Sequence, residues 1–183
     1  MPGATHFPVL LLHGAKFSSA TWVELKTMDE LARAGFDVYA VDLPGHGRSA
    51  GTAPLAPMRG SLLHTIIEAL ELDHPVLVAP SMSGTYAIPL VLSHPDVLSG
   101  FVPIAPAGLD MVDAQGLAHV SIPTLVMYGS EDAMGLKGLP VLETTPNHHT
   151  IVFEGGSHAC YVESPEKFNR LLVQFVRDMT LLA

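Results

Sequence analysis

VLVAPSMSGT, residues 76–85, is the stretch of sequence that decides the fold. A run of β-branched and aliphatic residues over 76–79 stops at Pro80, and an apolar segment with helical spacing follows Gly84. This pattern predicts a strand, a sharp turn that carries a serine, and a helix. A serine with small residues two positions to either side is typical of a nucleophile elbow, in which a strained turn lifts a hydroxyl above the edge of a sheet.

Two serines, Ser81 and Ser83, compete for the nucleophile position in this turn. The strand is expected to end at Ala79, and an elbow places its nucleophile two residues beyond the last strand residue, so the register favours Ser81. Ser83 would then lie in the first helical turn, where its hydroxyl can satisfy a free backbone N–H. The alternative is that both serines only cap the helix, since the motif lacks both consensus glycines.

Length and charge limit the classes of function. A chain of 183 residues with 48% hydrophobic residues suits one domain, 1–183, with a sizeable core. The net charge of -9 argues against nucleic acid or an anionic membrane as a partner, because both would repel the protein.

Composition also bears on compartment and cofactors. One cysteine cannot form an internal disulfide, no apolar run reaches the roughly 18 residues of a membrane span, and the start MPGATHFP is unlike a signal peptide. A cytoplasmic protein is therefore expected. The histidines are scattered and neither HExxH nor paired CxxC occurs, so we expect no metal and no cofactor.

Strand and helix patterns alternate along the chain. Short apolar runs predict strands at 7–12, 37–41, 76–79, 100–104, 124–128 and 150–153. Helical spacing predicts helices at 21–34, near 59–70, after the elbow and at 165–179. The alternation predicts an α/β fold with a mostly parallel sheet of about six strands flanked by helices.

An acid and a histidine follow two of the later strands. Asp132 comes just beyond the strand at 124–128, and His158 comes beyond the strand at 150–153. The carboxyl ends of parallel strands meet at one edge of a sheet, where such folds collect their ligands. The chain order Ser81, Asp132, His158 is that of a Ser-Asp-His triad on this kind of fold.

Both of these residues have a plainer interpretation. Asp132 could be a turn residue with Glu131 or Asp110 as the acid, and His158 could be a surface histidine. A GxxD arrangement directly after a strand favours Asp132, and the glycine-rich approach to His158 favours a catalytic imidazole.

Longer motifs extend this pattern through almost the whole chain. LLLHGAKFSSATW, AVDLPGHGRS, LVAPSMSGTYAIPL, LVMYGSEDAMG and GGSHACYVESPEKF together resemble the small α/β-hydrolases of the abhydrolase-domain-containing 14 subfamily. The resemblance implies a serine hydrolase without a sizeable lid that acts on small acyl esters, and it implies acyl transfer from acetylated lysine to coenzyme A. It assigns the catalytic roles to Ser81, Asp132 and His158.

The chain departs from that subfamily in two places. Members carry two strands before the first His-Gly turn, and these are missing here, which would leave the strand at 37–41 as an exposed edge. Exposed edges tend to pair, so we expect a homodimer or an N-terminally shortened gene. The second departure is Ala15-Lys16 after His13-Gly14, where a binding role for Lys16 stays open.

The expected mechanism needs two backbone donors. The N–H of Met82, which follows the nucleophile, and that of Ala15, in the turn after the first strand, should form the oxyanion hole. Only 105–123 separates two strands where lids are usually inserted, so we expect an open mouth that suits short acyl groups. Its expected lining, which could equally be core, is Phe17, Met82, Met111 and Met134. We expect Cys160 to be packed near the site rather than nucleophilic.

Three functions are compatible with these residues. The first is a carboxylesterase for short acyl esters. The second is an acyltransferase or deacetylase that passes the acyl group to a thiol such as coenzyme A, for which Lys16, Arg48 and Lys137 are the cations available to hold phosphates. The third is a binding protein on a hydrolase fold, which an intact Ser, Asp and His set argues against.

Overall fold

A sheet of six strands forms the centre of the molecule in a computed structural model, which describes residues 7–113 and 115–180. The strands are β1 Pro8–Leu11, β2 Asp37–Ala40, β3 Val76–Pro80, β4 Gly100–Ile104, β5 Thr124–Gly129 and β6 His148–Phe153. Their order is β2-β1-β3-β4-β5-β6, and every neighbouring pair is parallel. The predicted α/β fold is confirmed, with a sheet that is parallel throughout.

Helices cover both faces of the sheet. They are α1 Ser19–Glu24, α2 Thr27–Arg33, α3 Arg59–Ala69, α4 Gly84–Ser93, α5 Leu139–Leu142, α6 Cys160–Glu163 and α7 Pro165–Thr180. On one face, α3 and α4 pack against strand residues such as Leu10 and Leu77. On the other face, α2 and α7 pack against their neighbours Val9 and Val76. Because successive side chains of a strand point to opposite faces, strands buried on both sides read as continuous apolar runs.

The expected single helix at 21–34 is two helices in the structure. α1 ends at Glu24 and α2 begins at Thr27, with Lys26 between them in the left-handed conformation at a φ of 61°. A buried asparagine of α7 explains the break. Asn169 Nδ2 donates to the Leu25 carbonyl, 2.8 Å away, and Asn169 Oδ1 accepts from the Thr27 hydroxyl at 2.7 Å. A contact across more than 140 residues therefore overrides a continuous helical pattern.

The last strand begins two residues before the predicted start at Thr150. His148 and His149 are exposed, so the burial pattern gives no sign of a strand there, but their backbones pair with Thr124 and Leu125 of β5. The sheet edge at the other side is β2, as expected. It pairs with β1 alone among the described strands.

The segment between β4 and β5 is short, as expected for a fold without a sizeable lid. In its described part the helical structure is a single 3₁₀ turn, Leu109–Met111. Across the two described ranges, no helix combines the length and apolar character needed to cross a membrane.

Candidate active site

A strained turn follows β3. Ser81 has a φ of 50°, a left-handed conformation that costs an L-residue roughly 1–2 kcal/mol, and it opens a 3₁₀ turn that leads into α4. The Ser81 carbonyl accepts from the Ala107 N–H at 2.9 Å. At Gly84 a Cβ would lie only 2.4 Å from the Ala107 carbonyl oxygen, so the start of α4 needs glycine to approach the chain after β4. The local sequence thus builds an elbow with Ser81 at its tip.

Three side chains from the ends of different strands meet at this tip. His158 Nε2 lies 2.8 Å from Ser81 Oγ, and His158 Nδ1 lies 2.6 Å from Asp132 Oδ2. A carboxylate only accepts, so Nδ1 carries the hydrogen and Nε2 is left to accept from the serine hydroxyl. The Asp132 side chain is 5% exposed, whereas that of His158 is 48% exposed. The hydrogen-bonded chain therefore runs from a buried carboxylate to an open surface.

Asp132 is fixed in place by its own turn. The Gly135 N–H donates to Asp132 Oδ1 at 2.9 Å, and a Cβ at Gly135 would lie only 2.1 Å from Asp132 Oδ2. The sequence pattern Asp-x-x-Gly is the signal that could have identified this support. The other two candidate acids, Glu131 and Asp110, are exposed and make no hydrogen bond to His158 in the part of the chain that the structure describes.

Ser83 lies apart from this chain of hydrogen bonds. Its side chain is fully buried, and its hydroxyl donates to the Pro80 carbonyl at 2.7 Å. The hydroxyl therefore stabilises the turn at the end of β3, and His158 contacts Ser81 rather than Ser83.

The turn after β1 lies beside the elbow. A Cβ at Gly14 would lie 3.6 Å from Ser81 Cβ and 3.3 Å from the ring of Phe17. Ala15 follows in an exposed turn closed by a hydrogen bond from the Phe17 N–H to the Gly14 carbonyl. Both segments expected to supply backbone donors, at Ala15 and at Met82, thus border the serine.

Three of the side chains expected to line the mouth, and Lys16 with them, are placed differently. Phe17 is half-buried beside Gly14, and its ring packs edge-on against Tyr161 at a centroid distance of 6.1 Å. Met134 is exposed and lines a cavity of about 540 Å³ next to the Asp132 turn. Lys16 and Met111 are also exposed. The site itself opens onto the surface, because the His158 side chain is 48% exposed.

Ser157 and Glu163 form a hydrogen-bonded pair near His158 that the sequence did not predict. Glu163 accepts from the Ser157 hydroxyl and, at 2.8 Å, from the Ser157 N–H. The hydroxyl contact, more than the backbone one, lowers the pKa of Glu163. The pair connects the turn before His158 to α6. No local sequence pattern indicates this contact.

Cys160 has the packed position that was expected. It is buried, and burial raises the pKa of its thiol to about 11, so the reactive thiolate is disfavoured. Within 7–113 and 115–180, no three His, Cys, Asp or Glu side chains are grouped so that they could hold a metal ion.

Known proteins resemble this chain in sequence and in structure. Residues 8–119 match the family described as alpha/beta hydrolase fold. ABHD14B from Homo sapiens is 41% identical over 181 residues, which cover 97% of this chain and 86% of the relative. ABHD14A from Danio rerio is 41% identical over 174 residues, which cover 93% of this chain and 64% of the relative.

A solved structure gives the same result at the level of the fold. The "predicted CIB-like hydrolase" from Thermoplasma acidophilum superimposes with a TM-score of 0.87 at 25% identity, covering 97% of this chain and 89% of that one. Together with the strand order and the sequence relatives, this match shows that the chain belongs to the α/β-hydrolases, as a member of the abhydrolase-domain-containing 14 subfamily.

Proposed function

We propose that this chain is a serine hydrolase that cleaves short acyl esters through an acyl-enzyme on Ser81. The observation that carries the proposal is the continuous hydrogen-bonded chain from Ser81 through His158 to Asp132. A serine hydroxyl is a weak nucleophile, and an adjacent base that is itself oriented by a third group activates it.

In this mechanism His158 Nε2 takes the proton of Ser81 as Oγ attacks the acyl carbon. Asp132 holds the ring in the required tautomer and stabilises the imidazolium that forms. His158 then returns the proton to the leaving alcohol, and a water activated by the same nitrogen releases the acyl group. The N–H groups of Ala15 and Met82 stabilise the negative oxygen of both tetrahedral intermediates, and the loss of one such donor costs about 100- to 1000-fold in rate.

The open mouth supports substrates with a short acyl group. The 3₁₀ turn after β4 does not provide a deep apolar tunnel, and the side chains of Met111 and Met134 are exposed rather than packed into an apolar pocket. A long acyl chain would remain largely in water and contribute little binding energy. We therefore expect acetate esters to be turned over faster than octanoate esters.

A second candidate is deacylation of lysine side chains. The homologue ABHD14B, 41% identical over nearly the whole chain, is provisionally named a protein-lysine deacylase. The same acyl-enzyme serves both reactions, since His158 can protonate a leaving amine as well as an alcohol. Transfer of the acyl group onward to a thiol such as coenzyme A would use the exposed cations Lys16, Arg48 and Lys137.

A binding protein without turnover is the weakest of the three functions. Ser81 keeps a strained backbone, and such conformations persist where the surrounding structure holds them for chemistry. As part of the proposal the protein works in the cytoplasm, because its single cysteine leaves the fold independent of an internal disulfide.

The test is labelling by a fluorophosphonate probe together with turnover of p-nitrophenyl acetate, p-nitrophenyl octanoate and an acetyl-lysine peptide. Wild type and Ser83→Ala should be labelled, and Ser81→Ala should not. Acetate turnover without peptide turnover would favour the esterase, and the reverse would favour the deacylase. Failure to label the wild type would reject a serine hydrolase and leave the binding protein.

A further inference from the structure

His13 is a buried polar side chain for which the mechanism above has no role. It is 1% exposed and lies two residues beyond the end of β1. His13 Nδ1 lies 2.9 Å from the Gly14 carbonyl oxygen, and the Leu43 N–H donates to His13 Nε2 at 3.0 Å. A carbonyl only accepts and a backbone amide only donates, so Nδ1 carries the hydrogen and Nε2 is bare.

The ring is therefore held as one neutral tautomer. Burial is the largest influence on the pKa of His13 and lowers it; the nearby His46 ring also lowers it, against the opposing effects of the Gly14 carbonyl and Asp42. A neutral ring preserves both hydrogen bonds, because a proton on Nε2 would remove the acceptor of the Leu43 N–H.

The Gly14 carbonyl and the Ala15 N–H belong to the same peptide group. In a planar trans peptide the C=O and the N–H point in opposite directions. The Gly14 oxygen accepts from two donors, His13 Nδ1 at 2.9 Å and the Phe17 N–H at 3.0 Å. These two bonds fix the carbonyl toward the protein, and they thereby fix the direction of the Ala15 N–H.

The orientation of this peptide matters because of where it lies. Gly14 is next to Ser81, with a hypothetical Gly14 Cβ only 3.6 Å from Ser81 Cβ. If the peptide turned over, the Gly14 carbonyl oxygen would take the place of the Ala15 N–H beside the developing oxyanion. A donor would be exchanged for a repulsive negative dipole.

We propose that His13 is a positioning residue whose Nδ1–H holds the Gly14–Ala15 peptide in the orientation that offers the Ala15 N–H to the oxyanion. The bond from Leu43 keeps the imidazole ring itself in place. This inference rests on the proposed function, since it supplies an origin for one of its two backbone donors.

Two substitutions separate the two nitrogens of the ring. The amide nitrogen of His13→Asn can replace Nδ1 as the donor to the Gly14 carbonyl. The amide oxygen of His13→Gln can replace Nε2 as the acceptor of the Leu43 N–H, but this variant lacks the donor to Gly14. We expect kcat for p-nitrophenyl acetate to fall by at least about tenfold in His13→Gln and clearly less in His13→Asn, with KM little changed. The decrease in kcat should not exceed about 1000-fold, which is the upper end of the effect of losing one oxyanion donor.

A second measurement distinguishes orientation of the peptide from general loss of stability. A trifluoromethyl ketone adds to the serine and forms a hemiketal whose oxygen occupies the oxyanion hole. Its affinity should fall in parallel with kcat across wild type, His13→Asn and His13→Gln, and independently of the order of their melting temperatures. Equal kcat in the two variants, or kcat that follows melting temperature alone, would overturn the proposal.

The wild type itself provides a test that needs no variant to fold. Nitrogen-15 NMR of the His13 ring should show a protonated Nδ1 and a bare Nε2 at neutral pH, and the Ala15 amide proton should shift downfield when the trifluoromethyl ketone binds. A ring protonated on Nε2, or an unmoved Ala15 amide, would refute the role of His13. If the wild type shows no turnover and no hemiketal, the proposed function itself fails.

Discussion

The backbone of Ser81 is held in a left-handed conformation that serine rarely adopts. The turn is over-determined by its neighbours, because the Ser81 carbonyl is bonded to Ala107 and Gly84 packs against the same segment. The strained backbone lowers the stability of the fold, and it presents the Ser81 hydroxyl to His158.

Replacing Ser81 by glycine should therefore stabilise the protein relative to replacing it by alanine. Both variants lack the hydroxyl, so their comparison isolates the backbone. A left-handed alanine costs roughly 1–2 kcal/mol, and the extra unfolded-state freedom of glycine costs roughly 0.5–1 kcal/mol. We expect Ser81→Gly to exceed Ser81→Ala by about 0.5–1 kcal/mol in the free energy of unfolding, measured with urea. A glycine variant no more stable than the alanine variant would show that the turn is unstrained.

The candidate site was predictable from sequence because each of its residues sits in a local signal. Ser81 directly follows an apolar strand, and Asp132 and His158 lie in the short turns beyond two others; parallel strands bring their carboxyl ends to one edge of the sheet. The roles of Gly135 and His13 were not predictable in the same way. They depend on hydrogen-bond directions within turns, which residue types alone do not specify.

At the scale of elements, the helix expected over 21–34 shows what local patterns leave out. The apolar spacing of that segment is helical throughout, and neither glycine nor proline marks the break at Lys26. The break is set by Asn169 of α7, which binds the carbonyl of Leu25 and the hydroxyl of Thr27. A partner so distant in sequence cannot be read from a window of ten or fifteen residues.

Removing the Asn169 side chain should therefore destabilise the fold without affecting the site. Asn169→Ala leaves a buried hydroxyl and a carbonyl without their partner, at about 1–3 kcal/mol each. We expect a loss of about 2–6 kcal/mol in the free energy of unfolding, measured with urea, with kcat unchanged, since Asn169 makes no hydrogen bond to Ser81, Asp132 or His158. Thr27→Val, which breaks one of the two bonds, is the matched control and should cost less. A smaller loss in Asn169→Ala than in Thr27→Val would contradict this account of the break.

At the scale of the whole molecule, acid stability depends partly on His13. Its pKa is lowered in the folded state by burial, against an ordinary value of 6.5. As pH falls below 6.5, His13 takes up a proton in the unfolded chain but stays neutral in the folded chain. The free energy of unfolding therefore decreases toward acid until the pH reaches the lowered pKa of the folded state. For one titrating group, the free energy of unfolding can change by at most about 1.4 kcal/mol per pH unit.

The free energy of unfolding of wild type and His13→Asn should therefore converge as pH falls. Urea titrations at pH 7.5, 6.5 and 5.5 measure both curves, and an amide at position 13 does not titrate. Asp42, whose pKa is lowered because the N–H groups of Arg48 and Ser19 outweigh its burial, loses its contribution only well below this window. Parallel curves for the two proteins would show that His13 is protonated equally in both states.

The edge strand β2 offers a surface through which two molecules could pair. The N–H groups of Asp37 and Val41 donate to the β1 side, to Phe7 and Leu11. Alternation along the strand then directs the N–H of Val38 outward, where no described strand pairs with it. An edge of this kind is a template for a second copy.

We therefore expect a homodimer through β2 in light scattering at micromolar concentration. Val38→Pro removes the outward N–H and should yield a monomer, because proline cannot donate to a strand across the interface. Val38→Ala keeps that N–H while losing similar side-chain packing, and it should remain a dimer. A monomeric wild type would contradict the predicted dimer. A monomeric Val38→Ala variant would show that side chains, rather than the backbone of the edge strand, hold the interface together.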